Sequence, residues 1–255
     1  IDNLNVINAT TVSTFKEIEN VIGSKYNDIL IGNFGDNILD GGLGNDILCG
    51  TFGSDTYRFS DGWGNDKVID DILGLVNYLD GPTETYLVDG LTKLDNWFPK
   101  VVHTNTILNL VNAAKQVTSS KLPDYLQFGT VTTDLTVRVR NAGDVNISDG
   151  VNTTNDISGM ERVITGSGTD TFILANGDSF NGTFDGGTGI NSLDYTAYTT
   201  GVAVDLLAPE NGAPGKAQGT KGVYNIQNVT GGSGDDTLQG SDGDNLLTGG
   251  AGNDL

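Results

Sequence analysis

The chain has 255 residues, with 33 Asp or Glu and 13 Lys or Arg, so its formal net charge is −20. This charge argues against nucleic acid or an anionic membrane surface as a partner. The single cysteine excludes a disulfide framework, and no apolar stretch of the sequence is long enough to span a membrane.

The first predicted element is a strand near residues 4–8, where apolar and polar side chains alternate. The same alternation predicts strands at residues 134–140 and 201–207.

A second motif follows each of these segments and ends two residues before a glycine-rich turn. Its three copies align without gaps: Phe15-x-x-Ile18-Glu19-Asn20-Val21, Ile157-x-x-Met160-Glu161-Arg162-Val163 and Val223-x-x-Ile226-Gln227-Asn228-Val229. The predicted unit is therefore a pair of strands, an apolar step and then turns.

Residues 23–58 are four consecutive nonapeptides: GSKYNDILI, GNFGDNILD, GGLGNDILC and GTFGSDTYR. Each begins with glycine, and further glycines in the turns allow positive φ angles. The three-residue strand that ends each repeat points its middle residue inward, because side chains alternate along a strand. The sixth places hold Asp28, Asn37, Asp46 and Asp55, and the eighth places hold Leu30, Leu39, Leu48 and Tyr57.

A fixed period of this length predicts a solenoid. Two nonapeptides make one turn of a parallel β-helix, which places Asp28 over Asp46 and Asn37 over Asp55. Stacked carboxylates repel each other, and backbone carbonyl groups crowd the same turns. A hard cation with oxygen ligands relieves both problems, and this ligand set fits calcium better than zinc or copper.

The nonapeptides resemble the glycine- and aspartate-rich calcium-binding repeats of the RTX, or haemolysin-type, family. The resemblance implies an all-β, right-handed parallel β-helix or β-roll solenoid, with one calcium ion between successive turns on each edge. It also implies secretion from a bacterium and an outward-pointing Cys49 side chain at the surface.

The repeat signal recurs as a second tract at residues 231–255 and as single weaker copies at 165–173 and 186–194. We expect ions between Asp28 and Asp46, between Asn37 and Asp55 and between Asp236 and Asp254, with weaker sites where Asn replaces Asp. The complete set of predicted ligands for several Ca²⁺ ions is Asp28, Asn37, Asp46, Asp55, Asp170, Asn191, Asp236, Asn245 and Asp254.

Residues 72–121 break the pattern, since their four acidic and four basic side chains cancel. Apolar residues at helical spacing between 107 and 117 predict a helix there. We therefore expect a small, neutral, partly helical subdomain that interrupts the solenoid and contributes no strand to it. The predicted division is 1–71, a strand lead-in with calcium-binding repeats; 72–121, the insertion; and 122–255, a β-helix with sparse repeat turns and a second, truncated tract.

Few residues suit catalysis. His103 is the only histidine, and the sequence contains neither an HExxH nor a GxSxG motif. Because the acidic residues are committed to turn positions, we expect no enzymatic activity from this segment. Trp63, in the SDGWGND stretch at residues 60–66, is expected to act as a packing cap and not to bind a ligand.

Three functions fit the sequence. The first is a structural or adhesive segment of a large secreted or cell-surface bacterial protein, folded by extracellular calcium, of which this chain is a piece. The second is a calcium-dependent secretion or folding module of an exported protease, lipase or polysaccharide epimerase. The third is a recognition module whose 72–121 insertion binds another copy of the parent protein, a surface protein or a glycan. Several dispersed tracts separated by strand-rich spacers favour the first.

Overall fold

The computed structural model of the chain describes residues 3–8, 11–16, 18–33, 35–69, 123–140, 143–207 and 212–255, the first two as backbone only. Strands make up its regular secondary structure, and the described residues contain no helix. In chain order the strands are β1 (Asn3–Asn8), β2 (Thr11–Lys16), β3 (Asn20–Ile22), β4 (Asp28–Ile31), β5 (Ile38–Asp40), β6 (Ile47–Cys49), β7 (Thr56–Arg58), β8 (Asn65–Val68), β9 (Tyr125–Gln127), β10 (Thr136–Arg140), β11 (Asp144–Ser148), β12 (Thr153–Ile157), β13 (Arg162–Ile164), β14 (Thr171–Ala175), β15 (Thr183–Asp185), β16 (Ser192–Ala197), β17 (Ala203–Asp205), β18 (Lys216–Ala217), β19 (Gly222–Tyr224), β20 (Asn228–Thr230), β21 (Thr237–Gln239) and β22 (Leu246–Thr248).

Strands two repeats apart pair in parallel. Leu30 of β4 lies beside Leu48 of β6, and Leu39 of β5 lies beside Tyr57 of β7, so each pair of partners is separated by 18 positions. From β3 to β9 consecutive strands alternate between two sheets: one of seven strands, in the order β19-β15-β13-β9-β7-β5-β3, and one of twelve. A third sheet has three strands, in the order β18-β17-β21. The predicted period of two nonapeptides per turn is confirmed, and the largely parallel sheets are consistent with a β-roll.

Parallel pairing is interrupted at three places by antiparallel strands. The hairpin of β1 and β2 joins the twelve-stranded sheet through antiparallel pairing of β1 with β4. The meander of β10, β11 and β12 lies between β8 and β14, and β12 pairs in parallel with β8 while β10 pairs in parallel with β14. A short hairpin of β17 and β18 pairs with β21. The predicted strands near 4–8, 134–140 and 201–207 are confirmed as β1, β10 and β17.

The core lies between the sheets and contains the middle residue of most strands. Leu30, Leu39, Leu48 and Tyr57 are fully buried, as the eighth-place pattern predicts. Trp63 is also fully buried and packs edge-on against Phe59 and Phe128, which stack on each other. These contacts agree with the predicted packing role of Trp63, which here lies within the core.

The prediction of a surface thiol at Cys49 is wrong, because this side chain is buried. Cys49 of β6 pairs with Ile31 of β4 on one side. On the other side, Leu48 pairs with Val68 of β8, and Ile69 is the next residue after Val68. Cys49, Ile31 and Ile69 are all buried. The ninth places of these strands therefore add a second apolar row beside the core.

The predicted insertion at 72–121 lies outside the described residues. Across residues 70–122, β7 pairs in parallel with β9, and Tyr57 lies beside Leu126. In the parts of the chain that the structure describes, no helix is long and apolar enough to cross a membrane.

Candidate metal sites at the turns

Sixth-place side chains of successive turns form hydrogen-bonded ladders along the edges of the sheets. The backbone N–H of Asp28 donates to Oδ1 of Asp46 over 2.7 Å, and the N–H of Asp46 donates to Oδ1 of Asp66 over 2.9 Å. Each carboxylate thus accepts the N–H of the equivalent residue one turn earlier. The prediction that Asp28 lies over Asp46 is confirmed.

A second ladder runs along the opposite edge. The N–H of Asn37 donates to Oδ1 of Asp55 over 2.8 Å, as the predicted stacking requires. The ladder then crosses the break in the described chain, because the N–H of Asp55 donates to Oδ1 of Asp124, 69 positions away. The N–H of Asp124 in turn donates to Oε2 of Glu161 over 2.8 Å.

A third ladder joins the two weaker repeat copies. The N–H of Leu135 donates to Oδ1 of Asp170 over 2.8 Å, and the N–H of Asp170 donates to Oδ1 of Asn191 over 3.0 Å. The N–H of Asn191 donates to Oε1 of Gln227 over 2.8 Å. Asn245, the next predicted ligand on this edge, instead donates from Nδ2 to the carbonyl oxygen of Gln227.

The last ladder lies in the second tract. The N–H of Val202 donates to Oδ1 of Asp236 over 2.7 Å, and the N–H of Asp236 donates to Oδ1 of Asp254 over 3.0 Å. Asp236 also closes its own turn, because its Oδ2 accepts the N–H of Gly232 over 2.8 Å. The Asp236 side chain therefore bonds to the preceding turn through Val202 and to the start of its own turn through Gly232.

Some carboxylate oxygens of these ladders have no partner. Among the described residues, Oδ2 of Asp46, Asp66 and Asp170 is buried and accepts no hydrogen bond. Burial, aided by the nearby carboxylates of Asp28 and Asp40 and opposed by the hydrogen bond from the Asp28 N–H, raises the pKa of Asp46 to about 7. Burial also raises the pKa of Asp66, to about 8, and that of Asp170. A buried carboxylate without a partner is costly when ionised, so these atoms need a proton or a cation.

Backbone oxygens lie close to the same turns. Gly42 has a φ of +88°, and a Cβ at this position would collide with the carbonyl oxygen of Ser24 in the adjacent turn. Glycine therefore lets the two turns approach each other closely, with backbone oxygens in the gap. Carboxylate and carbonyl oxygens are the ligands that calcium prefers, so the residues present fit this ion. Within the described ranges, no group of three or more His, Cys, Asp or Glu side chains lies close enough to hold a metal by itself.

At Asn191 the crowded backbone carbonyl oxygens accept hydrogen bonds from a side-chain amide. Its Nδ2 donates to the carbonyl oxygen of Gly186 over 2.7 Å and to that of Asn225 over 2.9 Å. The side chain is fully buried. At this turn an amide group supplies the positive partner that the carbonyl oxygens need, without a cation.

The RTX calcium-binding nonapeptide repeat matches residues 22–57 and 227–255 of this chain, with four copies. These two segments are RTX calcium-binding repeats, and together they contain seven of the nine predicted ligands. A search of curated proteins finds no match to the chain.

Sequence reasoning missed four members of the ladders: Asp66, Asp124, Glu161 and Gln227. The signal was present, because each lies two residues before a buried or partly buried apolar residue, as Asp46 lies two residues before Leu48. Glu161 and Gln227 even occupy the same place in the gapless second motif. No glycine marks a nonapeptide before Asp124, and only Gly159 does so before Glu161.

Proposed function

We propose that this chain is a calcium-binding structural or adhesive segment of a secreted or cell-surface bacterial RTX protein. It would form a right-handed parallel solenoid that folds when it meets extracellular calcium. The observation that carries the proposal is the buried, unpartnered Oδ2 of Asp46, in a ladder of the first RTX segment. Oδ2 of Asp66 and Oδ2 of Asp170, which lie outside the matched residues, show the same feature.

Calcium would be held by the sixth-place carboxylates together with turn carbonyl groups. When bound, it would neutralise the buried charge and fix the spacing of adjacent turns. Calcium sites of extracellular modules have dissociation constants of about 10⁻⁴–10⁻³ M, so the sites would stay empty in a cytosol and fill outside a cell. Binding to the folded state alone stabilises that state by mass action, which couples folding to export.

We also propose that this segment has no catalytic activity. The buried acidic side chains of the ladders accept hydrogen bonds from backbone N–H groups, which leaves them poorly placed to act on a substrate. A structural role agrees with the distribution of the ladders, which run through both RTX segments and through the strands between them.

The test is circular dichroism of the whole chain during a calcium titration that starts in chelator. We expect β-structure and the midpoint of thermal unfolding to rise together as calcium is added. Magnesium at equal concentration should not substitute, because it demands a tight octahedron and keeps its waters. A chain that is equally β-rich and equally heat-stable in chelator would refute calcium-dependent folding.

A further inference from the structure

Thr51 has a backbone conformation that threonine rarely adopts. Its φ is +81°, and it occupies the second place of its nonapeptide, where the preceding repeat has Gly42 with a φ of +88°. A β-branched residue is strained at a positive φ, so the surrounding structure must hold Thr51 in this conformation. A strained residue of this kind points to a particular role for its side chain.

The hydrogen bond of the Thr51 side chain shows what this role is. Its hydroxyl group donates to the carbonyl oxygen of Asn33 over 2.6 Å, and both residues are buried. Asn33 holds the second place one turn earlier, 18 positions before Thr51. The hydroxyl is therefore the partner of a backbone carbonyl oxygen in the gap between two successive turns of the second ladder.

The equivalent gap on the opposite edge has no room for a side chain. A Cβ at Gly42 would collide with the carbonyl oxygen of Ser24, which holds the second place one turn earlier. The second tract has the same arrangement, because a Cβ at Gly250 would collide with the carbonyl oxygen of Gly232. Both gaps belong to pairs of turns whose sixth places hold two aspartates. The gap that contains Thr51 instead belongs to a pair with one aspartate and one asparagine.

That asparagine, Asn37, closes its own turn without a charge. Its Oδ1 accepts the N–H of Asn33 over 2.8 Å, and its Nδ2 donates to Oδ1 of Asn33 over 3.2 Å. Oδ1 of Asn33 also accepts the N–H of Gly35 over 2.7 Å. Among the described residues, the buried carboxylate oxygens that lack a partner belong to other ladders, and none lies on Asn37 or Asp55.

We propose that the gap between the turns of Asn37 and Asp55 is closed to calcium, and that Thr51 is the residue that closes it. The hydroxyl group replaces a cation as the partner of the carbonyl oxygen, and the amide of Asn37 replaces one of two carboxylates. Calcium takes about six to eight oxygen ligands, which a gap filled by a threonine side chain does not offer.

Calcium would then bind the first tract along the first ladder and not between these two turns of the second. The resemblance to the RTX family implies instead one ion between successive turns on each edge. The inference deepens the proposed function and rests on it.

The test is the number of calcium ions bound by the whole chain, measured by equilibrium dialysis with ⁴⁵Ca²⁺. Asp55→Asn removes the sixth-place carboxylate of the closed gap and keeps an Oδ1 acceptor for the Asn37 N–H. Asp46→Asn makes the same change in the preceding repeat, which belongs to the first ladder. We expect Asp55→Asn to bind as many ions as the wild type and Asp46→Asn to bind fewer.

A second pair of variants tests Thr51 itself. Asn37→Asp combined with Thr51→Gly gives this gap the two aspartates and the glycine that the first ladder has, and it should bind one ion more than the wild type. Asn37→Asp alone should gain no ion, because the hydroxyl group still fills the gap. Circular dichroism at saturating calcium identifies any variant that fails to fold.

Loss of an ion by a folded Asp55→Asn would overturn the proposal. A gain by Asn37→Asp alone, or no gain by a folded double variant, would overturn the role of Thr51. In each of these cases the wild type still binds calcium, and the proposed function is unaffected. Absence of calcium binding by the wild type would refute the proposed function and the inference with it.

Discussion

The turn at Asp46 and the turn at Asn191 occupy equivalent places on one edge of the sheets but are stabilised differently. In both, Oδ1 accepts the N–H of the residue one turn earlier. At Asp46 the second side-chain atom is an oxygen without a partner, whereas at Asn191 it is a nitrogen that donates to the carbonyl oxygens of Gly186 and Asn225. The carboxylate turn needs a cation or a proton to satisfy its buried oxygen, whereas the side chain of the amide turn has its partners already.

This difference implies that calcium acts on part of the chain and not on every turn. An amide that donates to two carbonyl groups satisfies them permanently, at any calcium concentration. A carboxylate makes the stability of its turn depend on the ion. On the proposed function, the chain would combine turns that calcium controls with turns that hold the strands between the two RTX tracts.

The largest expected effect on the free energy of unfolding comes from the buried leucine that follows the ladder residue in both turns. Leu48 and Leu193 each lie two residues after the ladder residue and are fully buried. Leu48→Ala and Leu193→Ala should each lower the free energy of unfolding by about 2–5 kcal/mol at saturating calcium, through lost burial and the cavity left behind. Denaturant unfolding measures this, with Leu246→Ala, at an exposed position, as the control. A large loss at one leucine alone would show that the two turns do not pack on a common core.

A smaller effect is expected when the amide turn is converted to a carboxylate turn. Asn191→Asp removes the donor to Gly186 and Asn225, which should cost about 1–3 kcal/mol in chelator, because two buried acceptors lose their partner. Added calcium should restore part of this loss. Thermal unfolding with and without calcium is the measurement, and the exposed Asn181→Asp adds the same charge as a control. A variant that calcium does not rescue would show that the turn cannot accept an ion.

The reverse change, from a carboxylate to an amide, should remove one calcium ion from the first tract. Asp46→Asn should eliminate the stabilisation provided by one ion, which is about 1.4 kcal/mol when calcium is at ten times its dissociation constant. In chelator the variant should be no less stable than the wild type, because the buried charge is gone. Asp36→Asn changes an exposed acidic residue of the same tract and serves as control. Equal calcium responses of Asp46→Asn and wild type would contradict the assignment of Asp46.

The smallest expected effect on stability comes from Asp149, whose carboxylate is stabilised by hydrogen bonds from the protein and not by an ion. Burial would raise its pKa, but hydrogen bonds from the N–H and Nδ2 of Asn152, from the N–H of Val151 and from Thr133 outweigh burial and lower it. A lowered pKa contributes stability above the ordinary aspartate value of 3.8 that is lost as the pH falls below it. Because Asp149 is largely solvated, we expect a loss smaller than in the other variants.

Urea unfolding at pH 7 and at pH 3 tests this expectation. Asp149→Asn should lower stability at pH 7 and change it less at pH 3, because below 3.8 the unfolded-state carboxylate binds a proton and the stability that the lowered pKa contributes is reduced. Asp242→Asn, at an exposed position, should show no such difference. The same loss at both pH values would show that Asp149 acts through its shape and not through its charge.

The repeat period made much of this fold predictable from the sequence. The eighth-place leucines, the 18-residue pairing and the stacking of Asp28 over Asp46 follow from the nonapeptide pattern alone. The antiparallel meander of β10 to β12 did not follow, because alternation predicts a strand and not the direction of its partner. Burial of Cys49 was also missed, since the apolar row at the ninth place forms only when Ile31 and Ile69 are brought beside it.

The ladder beyond the RTX repeats was harder to predict for a different reason. Asp124 follows Asp55 in space but lies 69 positions away in the chain, so no fixed period connects them. The chemical signal is short, a carboxylate or amide two residues before an inward apolar residue. Such a pattern occurs often by chance, and only the pairing of β7 with β9 identifies the instance that matters.

The central claim, that calcium controls the carboxylate turns and not the amide turn, is tested most directly by hydrogen exchange of the wild type over a series of calcium concentrations. Peptides covering residues 41–66 should lose protection as calcium is withdrawn, while peptides covering residues 183–198 should keep theirs to lower calcium concentrations. Loss of protection in both regions at the same calcium concentration, or no change in residues 41–66, would contradict the account.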